Sequence, residues 1–287
     1  MDIPMITAHS GCEGTDIDTM DSIEKALIFG ADVVEIDVRM DPSGDLRISH
    51  DPLSSEGYDQ KNLLEDVLQR ILPTSVLINF DIKEEEVLYK TLSTAHDFGF
   101  PAERLIFTGS TTPEQLINDP ELTERANFFL NLEEVLKYAF IHRKGEFGRE
   151  VFFMLMENPY IFFMNKRASI PDVILSESIR INQKIFAVSK TFREKIYKDT
   201  VRIYQETRAA AANLPRFLLW DSVLDDLKAG NVPLSVWTVN EPDLIRRCMD
   251  LGVCNITTQN VQLAKQILFS RGILGQWGRF PVFRSRK

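Results

Sequence analysis

Short apolar runs alternate with amphipathic helical stretches along most of this chain, and that grammar restricts it to the α/β folds. Residues 5–9 predict a first strand. Residues 19–29 predict the helix after it, with Ile23, Ala26 and Leu27 on one face, acidic residues in the first turn and Gly30 as its stop. A second strand follows over 33–39, then the turn Asp41-Pro42-Ser43-Gly44 and a hairpin partner over 46–50. The spacing next predicts helices over 62–72, 84–98 and 112–117, and strands over 76–82, 105–108 and 127–130. From about 133 to 219 the periodicity weakens: 151–156 and 173–175 read as extended, and 192–212 as a long helix. Helices over 223–229, 242–251 and 261–269, with strands over 234–239 and 255–258, restore the alternation. Near eight strand–helix units, with no internal repeat or Pro/Gly/Ser linker, predict one domain over 1–287, a (β/α)8 TIM barrel. An open doubly wound sheet is the alternative.

Composition excludes several classes. There are 33 basic and 42 acidic residues, a net charge of −9, which argues against a nucleic-acid binder that works by neutralising phosphates. No apolar run reaches the roughly 18 residues of a transmembrane helix. Met1-Asp2-Ile3-Pro4 lacks the basic and apolar regions of a signal peptide. Cys12, Cys248 and Cys254 are odd in number and carry no C-x-x-C, so neither a disulfide framework nor a zinc ribbon is indicated. The expectation is a cytoplasmic protein, and the oligomeric state is left open.

Two strands carry charge where parallel strands are usually apolar throughout. In Val33-Val34-Glu35-Ile36-Asp37-Val38-Arg39, period two puts Val34, Ile36 and Val38 on one face and Glu35, Asp37 and Arg39 on the other. Over 76–83 the same arithmetic groups Leu77, Asn79, Asp81 and Lys83. The strands are either antiparallel with a solvated polar face, or barrel strands whose charged face points inward at the C-terminal mouth. The alternating helices favour the barrel, because they must cover an apolar outer face. Converging carboxylates repel and need a cation or protons. Glu35, Asp37 and Asp81 offer hard oxygen donors, which suit Mg²⁺ or Ca²⁺. Lys83 would meet an anionic substrate group or balance the charge.

Of four histidines, His9 ends the first strand and His50 the hairpin strand, both at the predicted rim beside the carboxylates. His96 falls within a helix and reads as a surface or packing residue. Two rim histidines beside an acidic cluster point to general acid–base chemistry.

Taken in order, Ala8-His9-Ser10-Gly11, Asp16-Ile17-Asp18-Thr19, Gly30-Ala31-Asp32-Val33-Val34-Glu35-Ile36-Asp37-Val38, Ser43-Gly44 and His50-Asp51-Pro52 form a graded series of motifs. Asp81-Ile82-Lys83, Trp237-Thr238-Val239-Asn240 and Gly252–Gln259 continue it. The series resembles the glycerophosphodiester phosphodiesterases of the PLC-like phosphodiesterase barrel superfamily. Their motifs run A-H-R-G, P-E-N-T, G-A-D-x-x-E-x-D-V, D-G, H-D, E-x-K, W-T-V-N and G-x-x-x-I-T-D. The likeness covers 5–110 and 215–268. It implies a (β/α)8 barrel that hydrolyses a small-molecule or lipid-derived phosphodiester to an alcohol and a phosphomonoester, using one divalent metal, Mg²⁺ or Ca²⁺. By the resemblance, Glu35, Asp37 and Asp81 bind the metal and His9 and His50 form the acid–base pair. Lys83 contacts phosphate, while Trp237 and, at the family's Arg position, Ser10 face the substrate.

The departures define the alternatives. Ser10 removes a bidentate phosphate clamp. The P-E-N-T loop is degenerate, and Gln259 replaces the last Asp of I-T-D. Asp81 is similar to the D-x-K of sphingomyelinase D-like relatives, which cyclise their phosphodiester. The segment over 52–62 is too short for the insertion that shapes a glycerol pocket. The alternatives are therefore a cyclising lyase and a non-catalytic barrel that binds an anionic ligand. Phe152-Phe153 and Phe162-Phe163 read as core rather than a lipid-facing patch, and the basic tail from about 271 as a poorly ordered terminus or an oligomer arm.

Overall fold

The computed structural model describes residues 3–53, 61–142, 190–219 and 223–271. Eight parallel strands close into a barrel: β1 (Met5–Ala8), β2 (Val33–Met40), β4 (Leu77–Ile82), β5 (Leu105–Gly109), β6 (Asn127–Asn131), β7 (Ala211–Pro215), β8 (Leu234–Trp237) and β9 (Asn255–Thr258). β1 closes the ring by pairing with both β2 and β9. The short β3 (Leu46–Ile48) stands outside it, antiparallel to β2, as the expected hairpin partner.

Helices follow the strands, as the alternation predicted. They are α1 (Met20–Ile28), α2 (Leu64–Ile71), α3 (Val87–Asp97), α4 (Pro113–Asn118), α5 (Leu122–Arg125), α6 (Leu132–His142), α7 (Lys190–Glu206), α8 (Val223–Ala229), α9 (Pro242–Leu251) and α10 (Val261–Ser270). Local chemistry sets their ends. The Thr19 hydroxyl caps α1 by accepting the Ser22 N–H, and Gly30 stops it in the left-handed region, φ +73. Thr112 and Gln115 form a capping box on α4 with Pro113 in its first turn. His96, as expected of a packing residue, sits between the carbonyls of Phe100 and Arg125.

One expected element is corrected. The helix predicted over 192–212 ends at Glu206, and Ala211–Pro215 is a barrel strand. The run Ala209-Ala210-Ala211-Ala212 has high helix propensity, but Arg208 turns the chain with φ +53. Ala211 then packs in the barrel with Phe129 and Leu77, and tertiary packing overrides propensity. The extended segments predicted over 151–156 and 173–175, the phenylalanine pairs near 152 and 162, and the tail beyond 271 lie outside the described residues.

The barrel interior is layered. Its lower layer is apolar, with Met5, Val33, Leu77, Ile106, Phe129 and Ala211 in one buried cluster. Above it runs a chain of side-chain hydrogen bonds. Thr7 donates to Asn255 (2.7 Å), Asn255 to Ser235 (3.0 Å), Ser235 to Asn213 (2.8 Å) and Asn213 to Asn131 (2.8 Å). Each of these polar groups finds a partner on a neighbouring strand, which is what makes its burial tolerable. The outward faces, including Ile6, Val34, Ile36, Ile78, Phe80 and Phe107, are buried against the helices in the main core. Two-residue alternation therefore sends the acids of β2 and β4 up the inside of the barrel to its C-terminal mouth.

Candidate active site

Glu35, Asp37 and Asp81 offer oxygens that all lie within 4.8 Å of one another. Parallel register produces this: Glu35 pairs with Asn79 and Asp37 with Asp81 across β2 and β4. Glu35 and Asp37 are 4% and 3% exposed, whereas Asp81 opens partly to the mouth. The Glu35 carboxylate accepts the Ser10 N–H at 2.9 Å. The Lys83 ammonium lies 2.7 Å from Asp37 Oδ1 and also pairs with Asp81 Oδ2.

The electrostatics follow from burial and crowding. Burial and then the charge of Glu35 push the Asp37 carboxyl well above the usual range. Burial pushes Asp81 the same way, but the adjacent Lys83 ammonium outweighs it and the carboxyl is held low; His9, when protonated, adds to this. Burial disfavours the charged form of Lys83, yet Asp81, Asp37 and Glu35 together overcome it and hold the ammonium protonated. Three acids against one internal cation leave an excess of negative charge. With only hard oxygens on offer, the residues fit one divalent ion of the Mg²⁺ or Ca²⁺ kind.

Gly109, at the end of β5, belongs to this site and was not singled out from the sequence. A Cβ there would fall 2.3 Å from Asp81 Oδ1, and its φ of +77 suits glycine. The backbone thus packs directly under the Asp81 carboxylate. A Gly after a short apolar strand was the available signal.

His9 follows β1, and its backbone N–H donates to Thr258 O of β9. Its Nδ1 lies 2.9 Å from the Ser10 carbonyl. A carbonyl only accepts, so the proton is assigned to Nδ1 and Nε2 keeps its lone pair. His50 lies just beyond β3, with Nδ1 3.2 Å from Asp51 Oδ1 and the ring 46% exposed. Its backbone N–H donates to Asp18 Oδ2 at 2.8 Å.

Ser10 is buried. Its hydroxyl accepts the Asp18 N–H at 2.8 Å and lies 3.4 Å from the Asp18 carboxylate, so it is turned into the loop. Ser10, Asp18, Glu35 and Asp37 line one small cleft. Trp237 ends β8, and its indole Nε1 is buried with no hydrogen-bond partner among the described residues. Asn240, the last residue of W-T-V-N, accepts the Gln259 N–H at 2.9 Å and donates to the Gln259 side chain at 3.0 Å. Gln259 in turn donates to the Ser10 carbonyl at 3.4 Å. An Asp there would lack that donor, so the Gln in place of the family's Asp has a local use. Glu133, in the first turn of α6, also gave no sequence signal. Burial raises it to about 7, with the charge of Asp81 adding to the shift.

The structure thus brings Glu35, Asp37, Asp81 and Lys83 into one cluster with His9 in electrostatic reach. It ties His50 to the same mouth through Asp18 and Ser10.

Comparison with known proteins gave one family model and several solved structures of similar fold. The model of the glycerophosphoryl diester phosphodiesterase family matches residues 9–263. A comparison with curated protein sequences found no match. Among solved structures, a glycerophosphodiester phosphodiesterase from Thermotoga maritima is 15% identical, with a TM-score of 0.58, covering 93% of this chain and 99% of its own. One from Parabacteroides distasonis is 16% identical, with a TM-score of 0.61 and coverage of 94% and 99%. A phosphodiesterase from Oleispira antarctica, in complex with its product sn-glycerol-3-phosphate, is 15% identical, with a TM-score of 0.56 and coverage of 93% and 97%. At these identities the structural likeness carries the fold.

Proposed function

The chain belongs to the glycerophosphoryl diester phosphodiesterase family of phosphoric diester hydrolases, and we propose that it cleaves a small or lipid-derived glycerophosphodiester to an alcohol and a phosphomonoester. One observation carries this reading: the three carboxylates within 4.8 Å of one another at the barrel mouth, with Lys83 between two of them. Glu35, Asp37 and Asp81 would hold one divalent ion, Mg²⁺ or Ca²⁺. When bound, such an ion neutralises charge on phosphate oxygens.

The chain's own groups do the rest. His9 and His50 each keep Nε2 clear of the contact made by Nδ1. One imidazole takes the proton of the attacking water, and the other, protonated, returns a proton to the leaving alkoxide. Lys83, held charged by its acidic neighbours, presents an ammonium to the phosphate. Trp237 would line the pocket that receives the alcohol. Ser10 shapes the pocket through its backbone, since its N–H holds Glu35 and its hydroxyl is engaged with Asp18. A barrel that merely bound an anion would have no use for two poised imidazoles.

In this reading the whole chain, 1–287, forms one domain and acts in the cytoplasm. No helix among the described residues is long and apolar enough to cross a membrane. The net charge of −9 weighs against nucleic acid as substrate.

Phosphorus NMR tests the reading, with a panel of glycerophosphodiesters and lysophospholipids in Mg²⁺, in Ca²⁺ and in EDTA. A phosphomonoester that forms only with the ion is expected. A cyclic phosphate product would instead make the chain a cyclising lyase, and no turnover by the ion-loaded protein would favour a binding barrel.

A further inference from the structure

Resting on the reading of His50 as one of the acid–base pair, we propose that Asp18 and Arg39 are positioning residues that grip the backbone of His50 from both sides. β3 is three residues long, paired with β2 on one edge and bridged on the other only through Arg47 to Leu63 and Ile48 to Asn62, and its last bond towards β2 runs from Ser49 N–H to Asp37 O, 3.0 Å. His50 lies one residue further on with its ring 46% exposed, so packing does not place it. Its two backbone polar groups go instead to charged side chains. The N–H donates to Asp18 Oδ2 at 2.8 Å, and the carbonyl accepts from Arg39 Nε at 3.2 Å and Nη2 at 3.0 Å.

Both grips are themselves anchored. The remaining nitrogen of the Arg39 fork pairs with Glu84. Asp18 is buried in a left-handed turn, φ +58, with its N–H on Ser10 Oγ and its carbonyl accepting from Asn62 Nδ2. Water would satisfy an exposed hairpin end without help. Two charge-assisted contacts to one residue's backbone do something water cannot: they fix the peptide planes on either side of its Cα. The Cα–Cβ direction is then set, and only the ring torsions stay free. Because the Asp18 N–H also donates to the hydroxyl of Ser10, the residue after His9, one residue links the two loops that carry the imidazoles.

The test combines steady-state hydrolysis of glycerophosphocholine by the ion-loaded protein with amide exchange of His50 followed by NMR. Asp18→Ala is expected to lower kcat about 10- to 100-fold, the loss typical of a misplaced catalytic group, with KM within about threefold. Asp18→Asn, which keeps an oxygen for the His50 N–H, should recover most of kcat. Arg39→Met should behave like Asp18→Ala, and serves if that variant does not fold. In a His50→Ala background neither substitution should cost anything more, because the group being positioned is gone. Divalent-ion affinity should be unchanged in both. Losses that multiply in the His50→Ala background, or a weakened ion site, would assign the two residues a general structural role and overturn the proposal. So would unchanged His50 amide exchange in Asp18→Ala, where at least tenfold faster exchange is expected. A wild-type protein without turnover would sink the proposed function instead, and the exchange measurement would still decide whether the grip exists.

Discussion

Asp37 and Asp81 are register partners on neighbouring parallel strands, and the Lys83 ammonium is shared between their carboxylates. Each strand contributes one acid at the same height, so the pair comes from β-sheet register rather than from a loop. Lys83, two residues beyond Asp81 on the same inward face, arrives by the same alternation. It acts as an internal counter-ion.

Removing that counter-ion should therefore expose the acids. Lys83→Met leaves two acids facing each other with Glu35 behind them, and breaking a buried pair costs about 3–5 kcal/mol. The variant should melt well below the wild type in EDTA. Added Mg²⁺ or Ca²⁺ should recover more stability in the variant than in the wild type, because the ion no longer competes with an ammonium. Thermal melting across an ion titration reads this, and equal ion-induced shifts in the two proteins would remove Lys83 from the site's charge balance.

Of the three acids, Glu35 is not in contact with Lys83, and its carboxylate is held by the Ser10 N–H. Glu35→Ala should abolish divalent-ion binding and activity together while the barrel stays folded. Calorimetry with unchanged ion affinity would show that Glu35 is not a ligand.

Gly109 gives a test of Asp81 from the opposite side. In Gly109→Ala the new methyl would fall 2.3 Å from both Asp81 Oδ1 and the Ile82 carbonyl, at a φ of +77. The carboxylate and the end of β5 would have to move. Stability should fall by about 1–3 kcal/mol, and ion affinity should fall with it. A variant that melts as the wild type and binds the ion equally well would show that Asp81 has room to move.

These residues differ in how far the sequence revealed them. Glu35, Asp37, Asp81 and Lys83 were legible because acids at every second position of an apolar strand leave few alternatives once helices cover the outer face. The barrel was legible from the same alternation. β7 was not, because four consecutive alanines favour a helix and only packing against Phe129 makes them a strand. The asparagines of the barrel interior were not either: one Asn in a strand of four or five residues signals nothing until its neighbours on adjacent strands are known. Gly109 was missed, and Asp18 was read only as part of a degenerate loop motif, for a related reason. Their roles lie in what they touch, the His50 backbone and the Asp81 carboxylate, and both contacts join segments far apart in the chain.

Glu133 yields a prediction about pH. Its carboxyl is raised from 4.5 to about 7, first by burial and then by neighbouring negative charge, Asp81 included. The folded state therefore keeps a proton that the unfolded chain gives up near 4.5. The associated stability is fully present below that value and is lost as pH rises towards 7. The side chain is partly open to solvent, which screens part of the effect and leaves about 2 kcal/mol. Glu133→Gln carries no titrating group, so it should match the wild type near pH 4.5 and exceed its stability at pH 8. Aspartates 37 and 81 titrate in both proteins, so the difference between the two denaturation curves across pH isolates Glu133. Parallel curves from pH 4.5 to 8 would mean that Glu133 titrates as an ordinary exposed acid, and that its carboxyl lies outside the field of the acidic cluster.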